Sequence, residues 1–253
     1  MKTIVYVLLC LLLSFVAIGQ ENSERIDEEI STPTFTGVEN VVELLNNEEN
    51  KSIEKYLCSE LRKSDLVFET NEAGTAVIKF TVDERGKLSN IEVVNSVCCV
   101  LDEELVDILE TTDGMWKPAI RDGNHVAMEK EISLAFVCSE VANCQEFMMS
   151  KARKNFDKAN QQMMVKNNPK KALRYYNESI KYCPYETSSL LLRGLCKYEV
   201  GDKEGAYTDW KRVNELGEID ASEYINNLIT REPITNNSIS SESLAEMKKI
   251  LNQ

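Results

Sequence analysis

The sequence predicts an α+β protein: a small antiparallel sheet with helices, followed by an all-α array of helical repeats. In residues 76–82 and 126–136, apolar and polar residues alternate with the period of two expected of half-buried strands. In the second half this alternation disappears, and the chain resembles itself when shifted by 34 residues, a spacing found in helical repeats. At 253 residues the chain can hold one large domain or two small ones.

The charge balance excludes several functions. The chain has 29 basic and 42 acidic residues, a net charge of -13. Phosphate binding needs a basic face, and the sequence as a whole shows none, so we expect neither nucleic acid nor an anionic membrane surface as a partner. The hydrophobic content of 43% permits an ordinary core.

The first 19 residues have the pattern of a signal peptide. One lysine is followed by an apolar run, and the small residues Ala17 and Gly19 precede Gln20, which predicts cleavage between Gly19 and Gln20. The alternative is an uncleaved anchor, because residues 3–19 are close to the lower length limit for a membrane span, roughly 20 residues. We therefore expect a periplasmic protein, or alternatively an inner-membrane-anchored protein facing the periplasm.

The number and spacing of the cysteines do not predict a metal site. Seven cysteines follow the leader, none in a CxxC pair, and zinc would need close pairs or more histidine. Cys98 and Cys99 are adjacent, and we expect them not to pair with each other because such a bridge is strained. Cys138 and Cys144 are the expected local pair.

The first half is predicted to begin with an acidic flexible linker at residues 20–50. A helix then places Ile53, Leu57 and Leu61 on one face. A hairpin follows, with a turn of about five residues at Gly86 between two alternating segments. The next helix starts near Asp102, with apolar positions at Leu101, Leu105, Ile108 and Leu109, and its C-terminal cap is assigned to Gly114.

The last strand of this half is predicted at residues 126–137. Trp116-Lys117-Pro118 should be extended, and Asp122-Gly123-Asn124 should form a turn. The inward set is Val126, Met128, Ile132, Leu134 and Phe136, and the outward set is Ala127, Glu129, Glu131 and Ser133. His125, the only histidine, lies at the start of the strand and is interpreted as a turn residue, not a catalyst.

Roughly residues 50–137 resemble the C-terminal domain of the TonB energy transducers, within a domain predicted at 51–138. The motifs, in order, are "VIKFTVDERG", "LDEEL", "WKPA" and a strand ending "LAF". Cys98-Cys99 departs from the family pattern in the loop before the helix. The resemblance implies that the last strand lies at the sheet edge and takes up an extended receptor peptide, through Met128, Glu129, Glu131, Ser133 and Ala135.

Residues 153–220 resemble tetratricopeptide repeats, within a helical domain predicted at 142–230. The 34-residue shift pairs Ala172 with Ala206, Tyr176 with Trp210 and Phe156 with Leu190. It gives repeats at 153–186 and 187–220, a capping helix at 221–229, and a tail at 231–253 that contains a C-terminal helix. Asn160 replaces the glycine usual in the first repeat. The resemblance implies a protein-binding groove, and the alternative is that the C-terminal helix covers it. The groove residues are Lys154, Asp157, Gln161, Met164, Ser188, Leu191, Leu195 and Tyr198.

Enzyme signatures are absent from the sequence: it has no phosphate-binding glycine loop, no GxSxG and no HExxH. We therefore expect no catalytic residues, no cofactor and no small-molecule substrate. The expected function is an exported protein-protein interaction adaptor. The alternative is a TonB-family energy transducer for transport across the outer membrane, with an outer-membrane receptor as partner. Residues 20–50 reach at most about 100 Å, without the proline-rich spacer of family transducers, which favours the adaptor.

Overall fold

A computed structural model describes residues 30–37, 53–64, 72–137, 142–217 and 239–251. The described part combines α-helices with small antiparallel sheets, so the α+β class is confirmed at that level. The chain divides into two compact units, residues 1–144 and 145–253, and each is considered by itself below.

The first unit contains eight described strands and two described helices. The strands are β1 (Ile30–Ser31), β2 (Thr34–Phe35), β3 (Gly74–Val82), β4 (Leu88–Asn95), β5 (Trp116–Lys117), β6 (Ala119–Arg121), β7 (Asn124–Val126) and β8 (Met128–Phe136). The helices are α1 (Ile53–Leu61) and α2 (Cys99–Glu110).

The main sheet is antiparallel in the order β4-β3-β8. One face of β3 and β8 packs with α1 and α2 in a single core, as the alternation predicts. The largest fully buried side chains in this core are Phe80, Phe136, Leu57, Leu61, Ile78, Leu101, Leu105, Leu109 and Leu134.

The β3–β4 loop explains why a glycine occurs at position 86. Gly86 has a φ of 78°, which favours glycine, and a Cβ there would collide with the carbonyl oxygen of Trp116. The side chain of Asp83 accepts hydrogen bonds from the backbone N–H groups of Arg85 and Lys87, both at 2.8 Å. These hydrogen bonds lower the pKa of Asp83. The turn is therefore fixed by the Asp83 carboxylate and by its close contact with Trp116 on β5.

Trp116 connects several parts of the first unit. Its Nε1 donates to Oγ1 of Thr112 at 3.0 Å, just after α2. Its ring centroid lies 5.1 Å from that of Phe80 on β3 and 5.3 Å from that of Phe35 on β2. A large ring with a satisfied N–H is suited to such a junction.

Helix α2 begins and ends differently from the prediction. It starts at Cys99, and Asp102 lies in its first turn, where the carboxylate accepts from the N–H of Val97 at 3.2 Å and from the hydroxyl of Ser96. The helix ends at Glu110, and Thr111 is its C-terminal cap. The assignment of Gly114 as the cap is wrong, because residues 111–114 form a separate turn after the helix, and Gly114, with a φ of 78°, is the last residue of that turn.

Part of the predicted linker belongs to the fold. Residues 30–37 contain β1, which pairs with β6, and β2, which pairs with β5. Phe35 is buried in the core. The flexible-linker assignment is therefore wrong for residues 30–37. The physical reason is local composition, since "ISTPTFT" contains four β-branched residues that favour extended backbone.

The predicted strand at 126–137 is interrupted at Ala127, between β7 and β8. Asp122 and Gly123 have φ values of 51° and 77°, and they form the two-residue turn between β6 and β7. Asn124 belongs to β7 and not to the turn. His125 also lies within β7, opposite Ile120, with an exposed side chain.

The second unit is helical in its described part. It contains α3 (Cys144–Asn160), which begins at the last residue of the first unit, a π-helix (Gln161–Val165), α4 (Pro169–Tyr182), α5 (Thr187–Glu199), α6 (Lys203–Leu216) and α7 (Ser241–Leu251). Ala172 and Ala206 are both fully buried, as are Tyr176 and Trp210, so these two pairs have matching environments. The third pair differs, because Phe156 is half-buried and Leu190 is buried. The leader, Cys138 and the predicted capping helix at 221–229 lie outside the described residues.

Candidate interaction surfaces

Strand β8 forms one edge of the main sheet within the described residues. It pairs with β3 through nine consecutive residues, from Met128 opposite Val82 to Phe136 opposite Gly74, without a register shift. Its backbone is therefore regular along its whole length. A regular edge strand presents evenly spaced N–H and C=O groups on its outer side, to which an extended peptide can add.

The opposite edge of the sheet, β4, is irregular. Its pairing with β3 shifts twice, once between Val77 and Ile78 and once between Lys79 and Thr81. At the second shift Asn90 adopts a φ of 52°. Bulges of this kind bend an edge strand and discourage pairing with another chain. The two edges of this sheet therefore differ in their capacity to accept a strand.

The predicted edge-strand residues do not all share one face of β8. Glu129, Glu131, Ser133 and Ala135 alternate on the side away from the core, whereas Met128 is half-buried and follows the core-facing parity. Lys79 of β3 lies opposite Glu131, and its Nζ is 3.9 Å from Oε1 of Glu129. The outward face of β8 thus combines carboxylates with a neighbouring cation.

The contacts of Lys130 explain why a lysine interrupts the alternation of apolar and polar residues in this strand. Its Nζ donates to the carbonyl oxygen of Pro33 at 3.4 Å and lies 6.0 Å from the ring centroid of Trp116. The side chain thus extends over the core-facing side toward residues 30–37. A cation placed over an indole face is favourable, so the break does not weaken the strand assignment.

The predicted helical groove is only partly exposed. Lys154, Asp157 and Gln161 are exposed, and Ser188 is half-buried. The other four positions, Met164, Leu191, Leu195 and Tyr198, are buried within the core of the second unit. The eight residues therefore do not line one open groove. The exposed part lies on α3 and the adjoining π-helix, whereas the part on α5 is largely covered.

Helix α7 docks onto α5 through the carboxylate of Glu199. Oε1 of Glu199 accepts from the backbone N–H of Ser240 at 2.7 Å and from the hydroxyls of Ser240 and Ser243 at 2.8 and 2.6 Å. A carboxylate at a helix N-terminus is stabilised by the unsatisfied N–H groups there. At the other end, Nδ2 of Asn214 on α6 donates to the carbonyl oxygen of Ile250 at 2.8 Å. Met247, between the two ends, is fully buried.

A second polar cluster joins the start of α7 to α5 and α6. The hydroxyl of Tyr198 donates to Oε1 of Glu242 at 2.8 Å, and Nζ of Lys203 donates to the same oxygen at 3.2 Å. The hydrogen bond from Tyr198 is the main cause that lowers the pKa of Glu242, and the same bond raises the pKa of Tyr198. Lys203 also lies 4.8 Å above the Tyr198 ring. These contacts place the predicted groove residue Tyr198 in an intramolecular contact.

Three thiols are poorly suited to nucleophilic chemistry. Burial raises the pKa of Cys58 and of Cys183 to about 11, and it also raises the pKa of Cys196. Such thiols are protonated at neutral pH. Cys98 and Cys99 are both thiols, half-buried and exposed respectively. Within the described ranges, no group of three His, Cys, Asp or Glu side chains could hold a metal ion.

Comparison with known proteins gives no match: no family model, curated protein or solved structure is significantly similar to the chain. No helix in the described part is both long and apolar enough to cross a membrane. The predicted leader and its cleavage site, Gly19 and Gln20, lie outside the described residues.

Proposed function

We propose that this chain is an exported adaptor that holds protein or peptide partners at the outer edge of β8 and at the helical unit. Its two halves resemble the TonB C-terminal domain and tetratricopeptide repeats, and we propose no chemistry on a small substrate.

The observation that carries this proposal is the contrast between the two edges of the main sheet. β8 is regular over nine residues, whereas β4 contains two register shifts. If both edges served only to end the sheet, the same protection would be expected on each. The regular edge on β8 therefore favours strand addition by an extended peptide there.

The length of the N-terminal tether favours the adaptor over the transducer. Because β1 already begins at Ile30, only residues 20–29 separate the predicted leader from the folded unit. Ten extended residues reach at most about 35 Å, roughly a third of the reach expected when all of residues 20–50 were assigned to a linker. An anchored transducer would have to act within that distance.

Proline substitution tests docking at β8. In an antiparallel pair successive residues alternate between an N–H bonded to the neighbour and an N–H pointing outward. Of Lys130→Pro and Glu131→Pro, one therefore removes an outward N–H and should keep the fold. Circular dichroism identifies that variant, which should lose the partner captured from an outer-membrane extract by the wild-type protein.

Alanine at the same position is the matched control, because it removes the side chain but keeps the N–H. It should still capture the partner. A folded proline variant that captures the same partner would rule out strand addition at β8. Mass spectrometry of the native protein separates the two functions: a chain starting at Gln20 supports the adaptor, and an intact Met1 in the inner-membrane fraction supports the transducer.

A further inference from the structure

The first helical hairpin, residues 144–182, has a charge opposite to that of the whole protein. It carries nine Lys or Arg residues and three Asp or Glu residues, whereas the rest of the chain carries 20 and 39. The net charge of -13 conceals this segment, so the expectation that no basic face exists is wrong for this hairpin. Eight of the nine basic residues are exposed: Lys151, Arg153, Lys154, Lys158, Lys166, Lys170, Lys171 and Arg174.

These eight cations have no carboxylate partner within the described residues. The ion pairs of the second unit involve lysines and arginines of α5, α6 and α7. On α3 and α4, by contrast, like charges recur at spacings of three and four, as in Lys151, Lys154 and Lys158. Like charges at these spacings repel on a helix. The hairpin tolerates this repulsion although acidic residues are abundant elsewhere in the chain, which is typical of a site kept for function.

Four of these exposed cations form the surface that we call the basic ribbon: Lys151, Lys154, Lys158 and Lys171. The first three lie along one exposed stripe of α3. Lys158 lies 5.6 Å from the ring centroid of Tyr175, which is one turn from Lys171 on α4. Lys151 lies 5.2 Å from the ring centroid of Phe147. Both ends of the α3 stripe are thus held against aromatic rings, which orders the lysines before a ligand arrives.

We infer that the basic ribbon binds an acidic, extended segment of a partner protein. From Lys151 to Lys158 the helix rises about 10 Å, which about three to four residues of extended chain would span. Two or three carboxylates in such a segment could meet the ribbon together. This inference rests on the helical half of the proposed function and names the chemistry of its partner.

A peptide fits the ribbon better than a bilayer does. Interfacial helices place an exposed apolar face beside their cations, whereas the apolar face of α3, with Ala152 and Ala159, is buried in the protein. Met149, the most exposed apolar side chain of α3, lies on the opposite side of the helix from the stripe. The net charge of -13 would also oppose approach to an anionic lipid surface.

Binding of a labelled glutamate-rich octapeptide to the full mature chain, followed by fluorescence anisotropy, tests the inference. We expect binding that weakens as salt rises from about 0.05 to about 0.3 M, and no binding of the glutamine version. The triple variant K151Q/K154Q/K158Q should bind about tenfold more weakly, because three exposed charge contacts are lost. The variant K211Q/K248Q/K249Q removes three exposed lysines from α6 and α7, so it matches the change in net charge and should bind as the wild type does.

Other outcomes would overturn the inference. Equal weakening in both triple variants would show a general charge effect. Binding to phosphatidylglycerol vesicles without binding to the peptide would assign the ribbon to lipid. A dimer in sedimentation velocity that only K151Q/K154Q/K158Q abolishes would assign it to a second copy of the chain. Proline variants in β8 separate the two proposals, because they should leave peptide binding unchanged even if edge docking fails.

Discussion

The two helical hairpins of the second unit, α3–α4 and α5–α6, have different residues at equivalent positions of their helix–helix contacts. In the second hairpin, Gly194 on α5 lies against Trp210 on α6, whose Nε1 donates to the carbonyl oxygen of Leu191 at 3.2 Å. In the first hairpin the equivalent positions are Asn160 and Tyr176, and the Tyr176 hydroxyl donates to Oδ1 of Asn160 at 2.5 Å. The first hairpin thus has a smaller aromatic ring, Tyr176, where the second has Trp210. It has a larger residue, Asn160, where the second has Gly194.

The same hairpins also differ in what their surfaces meet. The second hairpin is covered by α7, with Met247 fully buried, and its charged residues find partners, as Arg193 and Lys197 do with Asp209 at 2.6 and 3.1 Å. The first hairpin keeps an exposed set of cations without such partners in the described residues. One hairpin is thus covered by a helix of its own unit, whereas the other keeps the exposed surface that we propose for binding.

The largest effect on stability should come from replacing Gly194, the glycine in the contact between α5 and α6. In Gly194→Ala, the new Cβ would lie 2.7 Å from Cδ1 of Trp210, and we expect a loss of about 3 kcal/mol in the free energy of unfolding. Asn160→Ala at the equivalent position should lose about 1 kcal/mol, since it removes one hydrogen bond. Urea denaturation of both variants measures the difference. Equal losses would show that the two positions are packed alike.

Removing the Met247 side chain, with which α7 covers the second hairpin, should lower the stability somewhat less than Gly194→Ala does. Met247→Ala leaves a cavity under α7, and we expect it to lower the free energy of unfolding by about 2 kcal/mol. It should also increase binding of a hydrophobic dye, because the α5 and α6 surface beneath becomes accessible. The neighbouring exposed Lys248 provides the control Lys248→Ala, which should change neither quantity. Unchanged stability and dye binding in Met247→Ala would show that α7 does not close the second hairpin.

Periodic patterns in the sequence predict those features of the molecule that follow from the spacing of its apolar residues. The alternation of Ile78, Phe80 and Val82 places them in the core, and the 34-residue shift pairs Tyr176 with Trp210 in equivalent buried positions. The π-helix at 161–165 has no comparable signal, because its sequence, "QQMMV", is compatible with an ordinary helix.

Contacts distant in sequence could not be predicted in the same way. The β1 strand pairs with residues about 90 positions later, and Glu199 caps a helix whose N-cap is Ser240. Neither partner is specified by any short motif. The basic ribbon was missed for another reason, since a net charge averages over the chain. A charge count in windows of repeat length would have found it.

The smallest effect concerns pH and the attachment of α7. The hydrogen bonds from Tyr198 and Lys203 lower the pKa of Glu242 below its ordinary value of 4.5. A carboxyl group whose pKa is lowered in the folded state stabilises that state above its unfolded pKa, and this contribution is lost as the pH falls through the folded pKa. Acidification below the ordinary pKa should therefore loosen α7. Because the group is exposed, the change should be modest and should diminish in high salt.

Hydrogen exchange at the backbone amides of α7 measures this change, with Glu242→Gln as the comparison. That variant lacks the titrating group, so its α7 protection should depend less on pH over the same range. If wild type and Glu242→Gln respond identically to acid, the cluster of Tyr198, Lys203 and Glu242 does not hold α7 in place, and the contacts of Glu199 and Met247 account for its docking.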